Sequence, residues 1–214
     1  MELAEFIADL STAIKRIDER KPQAANARTG DLYQPGIGPH PETQAVSLFV
    51  SELAQFSRPQ YDNRLHIGVP YPASRQKCDL CIGEPPNKWE WAAEFKMLRL
   101  MGDNGKPNDN MLMHILSPYP IDRSALTDCC KLIESGFEGR KAIVIYGFDY
   151  PELPMDPAID AFEVLALQRV GLGIRVVGSY RDLVHPVHRA GRVFGWEISP
   201  KAAQQQLGDS GLRR

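Results

Sequence analysis

The chain predicts a mixed α/β domain, an α+β arrangement of one mixed sheet with helices packed against it. Three features carry that expectation. Apolar residues recur at helical spacing in several separated stretches. Two alternating segments meet through a tight turn between residues 77 and 100. One continuous apolar run, Ala142-Ile143-Val144-Ile145-Tyr146, suits a strand covered on both faces.

Residues 2–18 place Leu3, Phe6, Ile7, Leu10, Ile14 and Ile17 on one stripe, which predicts an N-terminal helix over 1–20. Seven Pro and Gly residues from Lys21 to Pro41 then predict a long irregular loop. Leading into the next helix, it is expected to help embrace a substrate. That helix starts at Pro41, which suits a first helical position. It buries Ala45, Leu48, Phe49, Leu53 and Phe56, with Glu42 at the stripe's edge. Arg64 to Val69 reads as a strand, followed by the strands of the 77–100 hairpin. Asn110 to Leu116 reads as a short helix, and Asp122 or Ser124 caps another that stops at Gly136. After the strand at 141–148, Asp156-Pro157 opens a helix ending near Gly171, and Ile174 to Val177 is the last strand expected. The order is an extra helix, then helix, three strands, helix and strand, with a C-terminal helix and strand. A meander followed by crossovers implies a mixed sheet.

Size and composition set bounds. At 214 residues, one domain spanning 1–214 has ample core. No apolar run is long enough to span a bilayer and no signal-peptide pattern opens the chain, so a cytoplasmic location and no membrane partner are expected. Net charge is only −2, yet residues 172–214 carry seven Lys/Arg against three Asp/Glu. That basic region is a candidate contact for phosphates. Cys78, Cys81, Cys129 and Cys130 invite a zinc reading, but the first pair falls on opposite strand faces and the second is adjacent in a helix. Buried free thiols are expected instead. No phosphate-binding loop, Gly-x-Ser-x-Gly elbow or dinucleotide fingerprint is present, so no nucleotide cofactor is expected.

The chemistry concentrates in the hairpin. Side chains alternate across a strand. In the second strand Trp89, Trp91, Ala93 and Phe95 share one face, and Glu90, Ala92, Glu94, Lys96 and Leu98 the other. If Gly83 to Lys88 closes the turn, Asp79 lies across from the Ala92 to Glu94 region. Two carboxylates and a lysine then share one face. Oxygen ligands of this kind suit a hard cation such as Mg²⁺, which polarises a phosphate and acidifies a bound water. A lysine beside them can hold the attacking water or offset charge on the phosphate.

Asp79 with the Glu94-Phe95-Lys96 triplet resembles the PD-(D/E)xK nuclease superfamily, although Cys78 stands where a proline usually precedes the aspartate. The resemblance covers roughly residues 40–180 and implies a restriction-endonuclease-like core of αβββαβ order. It also implies a metal-dependent nuclease, an endonuclease acting on DNA. Asp79 and Glu94 would bind Mg²⁺ (Mn²⁺ substituting), with the Phe95 carbonyl as a third protein ligand. Lys96 would activate the water, and Glu42 would assist the metal. Many members pair as homodimers to cut two strands, so a homodimer is a partner the resemblance allows. The alternative is a non-catalytic module of the same fold that binds nucleic acid or a protein. Arg75, Lys77 and Lys131 are lesser phosphate candidates. His185-Pro186-Val187-His188 reads as a structured loop, and Trp89 and Trp91 as core.

Overall fold

Seven strands form one mixed sheet among the described residues, which are 1–201 of the computed structural model apart from 73, 87 and 109. Two helices open the chain, α1 (Leu3–Glu19) and α2 (Glu42–Leu53). The strands β1 (Leu65–Pro70), β2 (Lys77–Glu84) and β3 (Lys88–Leu98) follow. A crossover containing α3 (Met113–Leu116), a 3-10 turn (Pro120–Asp122) and α4 (Ala125–Ile133) leads to β4 (Arg140–Phe148). Next come α5 (Asp156–Leu167), β5 (Gly171–Leu172), β6 (Val176–Arg181) and β7 (Ala190–Ser199). None of the described helices is long and apolar enough to cross a membrane.

β1, β2 and β3 form an antiparallel meander, and β3 runs parallel to β4. A parallel neighbour requires a crossover, and the α3–α4 segment supplies it. β7 lies antiparallel on the far side of β4, and both β5 and β6 pair with β7's other edge. Helices α1 and α2 cover one face, where Phe95 meets Phe6 and Phe49 with ring centroids 6.4 Å apart in each case. Helices α4 and α5 cover the other. The α1 stripe is buried as its spacing predicts, and each such side chain stabilises the fold by about 1.5–3 kcal/mol.

The C-terminal half corrects the sequence reading in two respects. The strand expected at 174–177 lies at Val176–Arg181, and a further strand, β7, follows it into the sheet interior. Gly191, Arg192, Gly195 and Glu197 interrupt the apolar alternation that would have marked it. Gly195 has a packing reason: a Cβ there would sit 2.6 Å from Ile7 Cδ1, so glycine lets α1 press against the strand. Two arginines of the basic C-terminal region are paired, whereas Arg181, Arg189 and Lys201 are exposed and form no ion pair among the described residues. Arg175 pairs with Asp160 and Glu163, and Arg192 with Asp149 and Asp156. Residues 202–214, the rest of that region, lie outside the described residues.

Candidate active site at a fork between strands

β2 pairs with β3 only as far as Leu80↔Ala93. Beyond that point β2 stays with β1, through Val69↔Cys78 and Pro70↔Lys77, while β3 continues along β4 to Leu98↔Gly147. The two strands fork. A backbone group that loses its ladder partner inside a protein needs another one. Asp79 Oδ2 accepts from the Phe95 N–H at 2.9 Å, and Lys96 Nζ donates to the Phe95 carbonyl at 3.0 Å. Two of the expected site residues thus satisfy the backbone opened by the fork.

Extending the Leu80↔Ala93 register by one residue sets Asp79 opposite Glu94, on the same face. Glu42 arrives from the first turn of α2. Its Oε2 accepts from Met97 N at 2.7 Å, and its Oε1 lies 3.4 Å from Lys96 Nζ. Asp79, Glu94, Lys96 and Glu42 therefore line one cleft of about 860 Å³. The 21–41 loop does not line it. That loop instead docks on Asp18 through Ile37 N, on Arg99 through the Gly38 carbonyl and on His188 through Gly38.

Helix α4 supplies two residues that complete the cluster. Ser124 caps it by accepting from Thr127 N at 3.2 Å, and Asp128 and Lys131 project one turn apart toward the fork. Asp128 Oδ2 lies 2.7 Å from Lys96 Nζ, and Asp128 Oδ1 2.7 Å from Lys131 Nζ. Lys131 Nζ also lies 2.9 Å from Glu94 Oε1, and the Tyr71 hydroxyl donates to the same oxygen. Sequence reasoning named Lys131 only as a lesser phosphate candidate and passed over Asp128. The only available signal was an i, i+3 acid–lysine pair on the face of α4 that carries Leu132.

Burial dominates the electrostatics. Glu94 is 2% exposed, and burial, then Asp79 and Asp128, push its carboxyl up to about 10. Burial also raises Glu42, with Lys96 and the Met97 N–H opposing. For Lys96, burial favours the neutral amine, but Glu42 and Asp128 outweigh it and raise its pKa. Lys131 behaves alike, with Glu94 and Asp128 as the opposing charges. Both lysines are ammonium ions at neutral pH. Fully ionised, the cluster holds four carboxylates against two ammoniums, an excess equal to the charge of one divalent cation.

The carboxylates do not converge on one point. Asp79 turns to Phe95 N, Glu42 to Met97 N, and Glu94 to Tyr71 and Lys131. Among the described residues, the group of three donors lying mutually within 4.8 Å is a different one, Asp103, His185 and His188. It is a poor metal centre as it stands. The two imidazoles stack at 4.5 Å and 19°, so their ring planes meet too far away for one ion to lie in both at ligand distance. His185 Nδ1 also already faces the Val187 and His188 N–H groups. The chain Asp103–His188–Tyr150, with contacts of 2.9 and 2.7 Å, reads as a buried lock between loops. Its acidic partner comes from 85 residues away, so no local residue pattern announces it. All four cysteines are free; Cys78, Cys81 and Cys129 are buried as expected, whereas Cys130 is half-buried and lines the cleft.

The rim is cationic. Arg75, Lys77, Arg123 and Arg169 line the same cleft, and none pairs with a carboxylate among the described residues. An acidic floor with unpaired cations above it suits a phosphate ester bridged to the floor by a metal ion. No protein-family model matches the chain, and no match is found among curated proteins or among solved structures.

Proposed function

We propose that the chain is a Mg²⁺-dependent nuclease, an endonuclease that hydrolyses DNA phosphodiesters, built on a restriction-endonuclease-like core. The observation that carries this reading is the meeting of Asp79, Glu94 and Lys96 with Glu42 at the strand fork, beneath a cationic rim. The donor set fits a hard cation, because the ligands on offer are all oxygens and their negative charge exceeds that of the lysines. Asp79, Glu94 and the Phe95 carbonyl would hold Mg²⁺, with Glu42 or Asp128 beside them. A bound Mg²⁺ supplies positive charge for the phosphate and a more acidic water.

The protein's own groups do the rest. Lys96 is held as an ammonium between Glu42 and Asp128, so it donates rather than accepts a proton. It holds the attacking water in line with the scissile bond and stabilises the charge that develops on the phosphate. Glu42 fixes Lys96 and the end of β3. Arg75, Lys77 and Arg123 hold flanking phosphates, the sequence-independent part of binding.

One observation favours a second reading, a non-catalytic nucleic-acid-binding module. Lys131 and Tyr71 already fill the space beside Glu94, which is how a cluster that never takes a cation would be neutralised. Cleavage separates the two. A mixed pool of plasmid, linear and single-stranded DNA is incubated with Mg²⁺, Mn²⁺ or chelator. The nuclease reading expects metal-dependent cutting that Lys96→Ala abolishes. Equal cutting by that variant would remove Lys96 from the mechanism, and no cutting by the parent would favour the binding module.

A further inference from the structure

The crossover between β3 and β4 carries a feature that the cleavage chemistry does not use. Tyr119 and Ile121 are 66% and 87% exposed, two large apolar side chains two residues apart on one turn beside the cleft. They are not on a slack loop. Pro118 and Pro120 fix the backbone on either side of Tyr119. Tyr119 N donates to Ser117 Oγ at 3.2 Å, Ser124 Oγ donates to the Ser117 carbonyl at 2.6 Å, and Ser117 Oγ also bonds Asp122. Asp122 N closes the 3-10 turn on the Tyr119 carbonyl at 3.1 Å. The loop is braced with its apolar tips facing out.

Its position ties it to the cleft. Pro118, Pro120 and Arg123 line the main cleft, and Ile121 lines an adjoining pocket of about 400 Å³ that shares Glu42, Lys96 and Arg123 with it. A strand reaching Lys96 through that pocket passes Arg123 and Ile121, and Tyr119 stands exposed two residues before Ile121 on the same braced turn. In a continuous duplex the base faces are stacked on one another, and the backbone offers a tyrosine ring nothing to stack on. An unpaired strand presents both phosphates for the arginines and base faces for the aromatic ring.

We propose that the cleft takes its nucleic acid as an unpaired strand, with one base stacked on Tyr119, its neighbour packed on Ile121, and Arg123 and Arg169 on the adjoining phosphates. This rests on the nuclease reading of the same site and names its substrate class. Charge complementarity selects this occupant, since the unpaired cations beside the apolar tip match a polyanion with exposed π-faces.

The test measures binding of the full chain to a fluorescein-labelled oligodeoxythymidine and to a blunt duplex of equal length, with Ca²⁺ in place of Mg²⁺. The parent is expected to bind the single strand at least about tenfold more tightly, and Tyr119→Ser/Ile121→Ser to lose about tenfold or more on the single strand while duplex binding stays within about twofold. Tyr119→Trp should retain the preference. Both side chains are exposed, so these variants leave the core intact, and a thermal melt checks this. Equal affinity for the two probes, or an equal loss on both, would overturn the proposal. The nuclease reading would survive that result if Arg123→Ala/Arg169→Ala weakens DNA binding and Lys96→Ala abolishes cutting. A parent that binds neither probe overturns the proposal, and the cleavage assay then decides separately whether the nuclease reading falls with it.

Discussion

Glu94→Gln reports directly on the charge state of the fork. Glu94 is 2% exposed and faces Lys131 at 2.9 Å and the Tyr71 hydroxyl, with Asp79 and Asp128 close by. Its carboxyl titrates near 4.5 in an unfolded chain and is pushed up to about 10 in the folded one, by burial first and then by Asp79 and Asp128. Below the lower value both states are protonated. Between the two values the native state keeps a proton that the unfolded state has released. Stability is therefore present at low pH and lost as pH rises toward the folded value, by up to about 1.4 kcal/mol per pH unit. Over about pH 5 to 7 this amounts to roughly 2–3 kcal/mol. Glutamine keeps the shape and cannot ionise, so the variant lacks this slope. Burial raises Glu42 in both proteins, and the difference between parent and variant isolates Glu94. The assay is urea unfolding in chelator at several pH values. Glu94→Gln should gain on the parent steadily as pH rises, and saturating Mg²⁺ should flatten the parent's slope by stabilising the carboxylate. Parallel curves for the two proteins in chelator would refute the reasoning.

Two further outcomes follow from the same geometry. Lys131 pairs with both Glu94 and Asp128, so Lys131→Met should raise Mn²⁺ affinity by about tenfold in calorimetric titration, whereas a lysine irrelevant to the cation would leave it unchanged. Gly38→Ala should lower the melting temperature, because its Cβ would lie 2.3 Å from His188 Cδ2 inside the Asp103–His188–Tyr150 lock. Overpacking of this kind costs about 1–3 kcal/mol, or several degrees in a chain of this size, and an unchanged melt would mean that the lock yields easily.

The hairpin was the most legible part of the chain because its signals are local. Strict alternation along 88–98 assigned Glu94 and Lys96 to one face and Phe95 to the other, and β3 has that arrangement. Glu42 was legible through Pro41 and the apolar stripe behind it. What stayed hidden depends on partners distant in sequence. Asp128 and Lys131 gain meaning only once α4 crosses the fork, and Asp103 meets His188 only through folding. β7 was missed because glycines and charges that serve the packing of α1 and the pairing of Arg192 mask its alternation. The fork itself cannot be read from residue patterns, since both strands look regular and the divergence lies in their pairing.

The central claim is that the oxygens at the fork gather one divalent cation. The most direct measurement is a Mn²⁺ titration of the full chain beside Asp79→Asn, with paramagnetic resonance reporting free ion and thermal melts reporting linkage. The account predicts one ion bound by the parent, with about 2.7 kcal/mol of added stability at a hundredfold excess over Kd, and both effects lost in the variant. No binding by the parent, or equal binding by both proteins, would contradict it.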